Sequence, residues 1–324
     1  MKAIVLTKYG SPDYLQLQEV EKPTPNDDEV LIKVKAASVN DWDWCLTIGK
    51  PFYIRLLCGF FKPKVQIPGV DIAGEIVAIG KNVSKFQPGD RVYGDLSENG
   101  FGGFAEYVCA PVSALALKPE NMTYIEAAAI PHAAMLAVQG LRDLGKIQPG
   151  QKLLINGAGG GVGTLGVQIA KAIGVEHITG VDSSNKLDMM RAIGFDRTID
   201  YKTDDFTQIE RGYDLILDPK TNRSIFSYLP VLKPNGSYVT VGGLTPRLFQ
   251  ALFLSSLIVL LFKKNVQLLG LKPNKDLDYI NELFEAEKIK PVIDGPYKLS
   301  DGIEAIRRFG EGKHQGKIII RMEN

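Results

Sequence analysis

Apolar and polar positions along this chain follow two different rhythms, and the change comes near Thr123. In the first part, short runs of β-branched or alternating residues predict strands at Lys2–Leu6, Tyr14–Val20, Glu29–Ala37 and Val70–Ile79. Such runs suit a pleated surface with one face buried. Turn-forming clusters at Gly10–Asp13 and Pro23–Asp27 separate them. Gln87–Tyr93 reads as a turn feeding a further strand, and Phe104–Ala110 continues the β character. Only one short helix, Trp42–Ile48, interrupts, so a barrel-like β domain is expected.

Beyond Thr123 the spacing lengthens to a helical period. Glu126–Leu144 reads as an Ala-rich helix kinked at Pro131. Strands are then predicted at Lys152–Asn156, His177–Val181, Tyr213–Asp218, Ser237–Val241 and Val266–Leu269. Between them lie helical stretches at Val162–Ile173, Asn185–Ile193, Asn222–Leu229 and Leu248–Phe262. That alternation predicts an α/β domain with a doubly wound parallel sheet. The tail from Leu277 carries two helices and a last strand, Gly316–Arg321, and is expected to return to the first domain. The expected division is 1–122 with 271–324 for the β domain, and 123–270 for the α/β domain.

Composition changes this picture little. The 324 residues are 45% hydrophobic and carry a net charge of about +1, so overall charge calls for neither nucleic acid nor an anionic membrane as a general partner. Cys45, Cys58 and Cys109 are widely spaced, which suits a reducing, cytoplasmic setting without a disulfide framework. Met1–Leu6 reads as a first strand rather than a leader. Leu248–Phe262 is strongly apolar and is followed by Lys263 and Lys264. It is short for a membrane span, which needs about 20 residues. It reads as a buried helix, a dimer contact, a lid over an apolar pocket, or a peripheral membrane contact.

The chemistry-bearing signal is the run Ala158, Gly159, Gly160, Gly161, Val162 and Gly163, lying between a predicted strand and a predicted helix. Ala158, Gly160 and Gly163 fit the small-x-small-x-x-small fingerprint of a dinucleotide turn. The first allows the tight turn, the second the approach of a pyrophosphate, and the third the packing of helix on strand. The helix N-terminus then offers free N–H groups to the phosphates. The following strand leads to Asp182, where a ribose-binding carboxylate is expected.

Further phrases carry a resemblance: Ser38–Asn40, Pro68–Gly74, Val77–Gly80, Gln87–Val92, Gln148–Gly150, the glycine turn and Gly316–Ile318. In this order they resemble the medium-chain dehydrogenase/reductase superfamily, and within it the zinc-free quinone oxidoreductase and alkenal/enone reductase branch. The resemblance implies a GroES-like β-barrel-type domain joined to a Rossmann domain. It also implies hydride transfer from NAD(P)H to a quinone or an α,β-unsaturated carbonyl, and a homodimer. Zinc-using relatives have a Cys where this chain has Asn40, and Gly-His-Glu where it has Gly69, Val70 and Asp71. They also carry a four-cysteine lobe where Gly94–Tyr107 contains no cysteine. Zinc needs three or four Cys, His or carboxylate ligands, so no zinc is expected.

Three residues are the catalytic candidates. Asn40 matches an asparagine near the nicotinamide, Tyr53 lies in a loop where the family often has a tyrosine, and His132 precedes a helix of the site. A turn cap, a surface tyrosine and a satisfied buried histidine are their plain structural alternatives. For the cofactor, Asp182 favours NAD(H), whereas Ser183, Ser184, Lys186 and Tyr201 match positions that hold a 2′-phosphate; NADP(H) is favoured. Gly242 and Gly243 match a loop beside the nicotinamide. The competing functions are a zinc-independent alcohol or aldehyde dehydrogenase and a cofactor-binding, membrane-associated protein with little turnover.

Overall fold

Alternating residues in the first part of the chain pair as antiparallel strands, and the uninterrupted apolar runs of the second part pair in parallel, buried on both faces. In the computed structural model, which describes residues 1–322, the strands in chain order are β1 (Lys2–Leu6), β2 (Leu15–Glu19), β3 (Glu29–Ser38), β4 (Asp71–Ile79) and β5 (Arg91–Asp95). There follow β6 (Tyr107–Pro111), β7 (Ala116–Leu117), β8 (Lys152–Asn156), β9 (His177–Asp182) and β10 (Arg197–Asp200). The last are β11 (Tyr213–Asp218), β12 (Leu232–Thr240), β13 (Asn265–Leu268), β14 (Ile293–Lys298) and β15 (Lys317–Arg321).

The chain divides into two units. The first comprises Met1–His132, Pro273–Glu285 and the segment from Ile293 onward; the second comprises Ala133–Lys272 and Ala286–Val292. The expected boundary at 122 lies ten residues too early. The helix Tyr124–Ala129 packs on β3, β4 and β15 of the first unit, which draws it there. Residues 286–292 group with the second unit, where Lys290 and Gln168 exchange two hydrogen bonds.

The first unit holds a sheet in the order β14-β15-β3-β4-β5-β7, with β6 also paired to β3, and a separate β1–β2 ribbon. Its core is built from Ile4, Ile32, Ile72, Val92, Phe104 and Ile320. The second unit holds six parallel strands in the order β10-β9-β8-β11-β12-β13. The order reverses between β8 and β11. In doubly wound sheets, ligands bind beyond the strand ends at such a reversal.

The expected helix Glu126–Leu144 is broken. A helix ends at Ala129, a second runs Pro131–Val138, and Gln139–Leu144 widens to a π-helical turn. Pro131 causes the first break, because it has no N–H to give the preceding turn. Edge strand β10 escaped the sequence pattern because only Ile199 of its four residues is buried. The apolar Leu248–Phe262 forms part of a helix Thr245–Phe262 that buries only Ala251 and Ile258, so it is not the buried helix that its composition suggests.

Candidate active site

In the second unit, β8 runs into a turn that only small residues can form. Gly157 has φ +93°, and the N–H groups of Gly157 and Ala158 donate to Val181 O at 2.9 and 3.0 Å. Gly160 caps the helix Gly161–Ile173 in an extended conformation, without any side-chain cap bond. The first N–H groups of that helix therefore have no partner within it, and the helix dipole adds positive potential. A Cβ on Gly163 would lie 2.4 Å from Ala158 Cα, so the helix is pressed onto the turn. The candidates Ala158–Gly163 are thus brought together at the reversal of strand order.

Asp182, at the end of β9, is buried and turned into the protein. Its Oδ2 accepts from Gly159 N at 2.9 Å; its Oδ1 accepts from Ser183 N at 2.8 Å and pairs with Lys186 Nζ at 3.3 Å. The carboxylate expected to hold a ribose is instead engaged in fixing the glycine turn. Lys186 is buried, and its stem fills the space beside Gly159. Ser183 is buried, Ser184 is exposed, and Tyr201 is half-exposed, its N–H bonded to Asp182 O.

The sequence reading missed a second anchor at this sheet end. Buried Asp218, closing β11, accepts from Asn156 Nδ2 at 2.8 Å, Tyr238 Oη at 2.7 Å and Thr221 N at 2.8 Å. Burial, followed by the Asp218 charge, pushes both the Tyr228 and Tyr238 phenols far up, so both stay protonated. The loop after β11 brings Lys220 across the glycine turn; its Cγ would lie 2.9 Å from a Cβ on Gly157. The available signal was a lysine two residues past a strand-ending aspartate. Gly243 has φ +120°, and a Cβ there would lie 2.1 Å from Lys220 O, so the Gly242–Gly243 turn closes on the same loop.

In the first unit, a buried polar cluster forms where β3, β4, β5 and β15 present their ends. Ser38 faces Asp71 across β3–β4, and Asp71 faces Asp95 across β4–β5. Asp71 Oδ2 accepts from Ser38 Oγ at 2.9 Å and Asn40 Nδ2 at 3.0 Å, and pairs with Lys317 Nζ at 3.1 Å. Its Oδ1 accepts from His132 N at 3.0 Å. Lys317 also donates to Asn40 Oδ1, so both ends of the Asn40 amide are occupied within the cluster. His132 Nδ1 lies 2.7 Å from Asp95 Oδ2. Asn40 and His132 are therefore brought together through Asp71. Tyr53 starts the helix Tyr53–Cys58 and shares no hydrogen bond with them among the described residues. It is partly exposed, beside exposed Phe52, Leu56 and Leu57.

The charges of this cluster are matched in pairs. Burial lowers the His132 pKa, but the Asp95 charge and hydrogen bond, with Asp71 behind them, hold it above its ordinary value. Asp95 is held below the usual carboxylate range: its burial, which raises the pKa, is outweighed by His132 and Ser97. Burial pushes Asp43 up to about 7, against N–H donation from Gly69 and Asn40.

Comparison with known proteins places these features in context. Residues 26–120 match the family model described as the alcohol dehydrogenase GroES-like domain, and residues 193–320 match that of zinc-binding dehydrogenases. A 2-methylene-furan-3-one reductase from Solanum lycopersicum is 33% identical, over 99% of this chain and 79% of the relative. An NADPH-dependent alkenal/one oxidoreductase from Arabidopsis thaliana is 32% identical, over 99% of this chain and 79% of its own. Among solved structures, the quinone oxidoreductase from Coxiella burnetii superposes with a TM-score of 0.87 at 26% identity, covering 100% of this chain and 99% of that one.

The second family description names zinc, and the donor set here does not suit it. Asn40 and Asp71 hold an ammonium between them, Val70 offers no ligand, and His132 is committed to Asp95. Among the described residues, no group of three or more His, Cys, Asp or Glu could hold a metal ion.

Two outcomes follow. Gly163→Val forces the helix off the turn; it should cost about 1–3 kcal/mol of stability and weaken dinucleotide binding at least about tenfold, read by thermal unfolding and calorimetry. The raised His132 pKa means that folding is favoured below its unfolded value of 6.5 and loses that contribution as pH rises through the folded value. The apparent denaturation midpoint should therefore fall from pH 6.5 upward, and the double variant His132→Gln/Asp95→Asn should show a flatter profile over that range.

Proposed function

Because this chain belongs to the medium-chain dehydrogenase/reductase superfamily, among its quinone oxidoreductases and alkenal/enone reductases, we propose that it reduces quinones or α,β-unsaturated carbonyls with NADP(H), without zinc. The observation that carries the reading is the Asn40–Lys317–Asp71 contact: at positions where zinc-using relatives have metal ligands, this chain buries its own cation. A zinc dehydrogenase uses the metal as a Lewis acid to ionise an alcohol. A conjugated acceptor is already polarised and needs only donors aimed at the oxygen where charge develops.

Nicotinamide, when bound, supplies the hydride. The protein's own work is to hold and orient. The residues that would hold the pyrophosphate are those of the Ala158–Gly163 turn and the uncapped start of the helix Gly161–Ile173. Ser183, Ser184, Lys186 and Tyr201 would hold the 2′-phosphate. Lys186 favours this choice, because its ammonium neutralises Asp182, the charge that would otherwise repel a phosphate. Tyr53 is the proposed donor to the substrate oxygen. Partial burial, followed by the neighbouring Cys45, raises its pKa above the ordinary phenol value, so it carries its proton at neutral pH. The buried pair His132–Asp95 fixes the polar cluster; it is a positioning device in this account.

Both parts can be tested in solution. The protein should consume NADPH with a naphthoquinone and with an α,β-unsaturated aldehyde, and show no turnover of a simple secondary alcohol with NADP+. Alcohol oxidation without quinone or enone reduction would contradict the reading. Lys186→Met should weaken NADPH binding by about 10- to 100-fold and NADH binding much less; equal losses for the two cofactors would remove the 2′-phosphate assignment.

A further inference from the structure

The helix Thr245–Phe262 has no place in the chemistry above, yet it is the most unusual surface of the second unit. Phe249, Leu252, Phe253, Leu257, Leu260 and Leu261 are 49–77% exposed. Exposed apolar patches of this kind mark interaction sites. Length and composition alone would let it cross a membrane. Its attachments forbid that: Ala251 and Ile258 are packed in the core with Tyr228 and Val266, and the chain re-enters the sheet as β13 three residues after the helix ends. A helix pinned along one side can only lie flat.

Charge indicates what covers it. From Pro219 to Lys272 the chain contains seven basic residues and no Asp or Glu, although acids and bases are nearly equal in the whole sequence. Arg223 and Lys233 are paired with Asp205 and Asp214 of earlier segments. Arg247 lies at the start of the helix, and exposed Lys263 follows its last turn. A twofold contact between two copies of this helix would bring no acid of the helix to Arg247 or Lys263. An anionic lipid surface answers both demands: acyl chains take the apolar side chains and headgroups take the cations.

We propose that the helix Thr245–Phe262 is an in-plane docking element for an anionic membrane surface. Phe253, Leu260 and Leu261 enter the acyl boundary, and Arg247 and Lys263 meet the headgroups. This inference does not depend on the reductase reading, and its test uses no activity measurement.

The test is co-sedimentation of the full chain with vesicles of phosphatidylcholine alone or mixed with phosphatidylserine. The intact protein should sediment with the mixed vesicles and at least about fivefold less with the neutral ones. Phe253→Ser/Leu260→Ser should abolish binding, and Arg247→Gln/Lys263→Gln should remove the preference for anionic vesicles. Phe253, Leu260 and Lys263 are exposed and Arg247 is half-buried, and unchanged circular dichroism and thermal unfolding would show that the variants fold. Three results would overturn the proposal: no sedimentation with either vesicle, sedimentation that both double variants retain, or a dimer in analytical ultracentrifugation that Phe253→Ser/Leu260→Ser converts to monomer while vesicles bind nothing.

Discussion

The first unit depends on one buried carboxylate. Asp71 is fully withdrawn from solvent and collects donors from Ser38, Asn40, His132 and Lys317. An unpaired charge in that place would be expensive, and removing one partner of such a pair costs about 3–5 kcal/mol. The donors come from the end of β3, the residues just past it, the helix region after Thr123 and the start of β15. The carboxylate therefore ties together pieces of chain 246 residues apart.

The second unit solves a similar problem with the same parts. Asp182 is buried, bonded to the backbone N–H groups of Gly159 and Ser183, and paired with Lys186. Asp218 repeats the arrangement one strand-reversal away, with Asn156, Thr221 and Tyr238 as donors. These two acids fix the loops on either side of the glycine turn. The start of the helix Gly161–Ile173, which follows the turn, is left with N–H groups that have no partner within the helix, which is what an anionic ligand requires.

How much of this could be read in advance follows from the range of each interaction. The glycine turn was legible because it is local: only small residues allow Gly163 to meet Ala158, and the strand and helix on either side announce themselves by period. The doubly wound sheet followed from the same alternation. Asn40 and His132 were singled out by the family resemblance, but their joining through Asp71 and Lys317 was invisible, since no pattern in sequence couples positions so distant. Asp182 was legible as an acid at a strand end, but whether such a side chain faces a ligand or its own loop is decided by Lys186 and Gly159, not by spacing. Leu248–Phe262 was read as a buried helix, a dimer contact, a lid or a membrane contact, and the choice stayed open because composition reports preference for an apolar medium and says nothing of which medium is at hand.

The central claim is that a lysine–aspartate–asparagine contact takes the place of a catalytic metal. The most direct test is to measure zinc in the purified protein by inductively coupled plasma mass spectrometry, alongside the rate of NADPH-dependent quinone reduction before and after treatment with a strong zinc chelator. The account predicts zinc far below one ion per chain and an unchanged rate. Stoichiometric zinc whose removal abolishes the rate would contradict it.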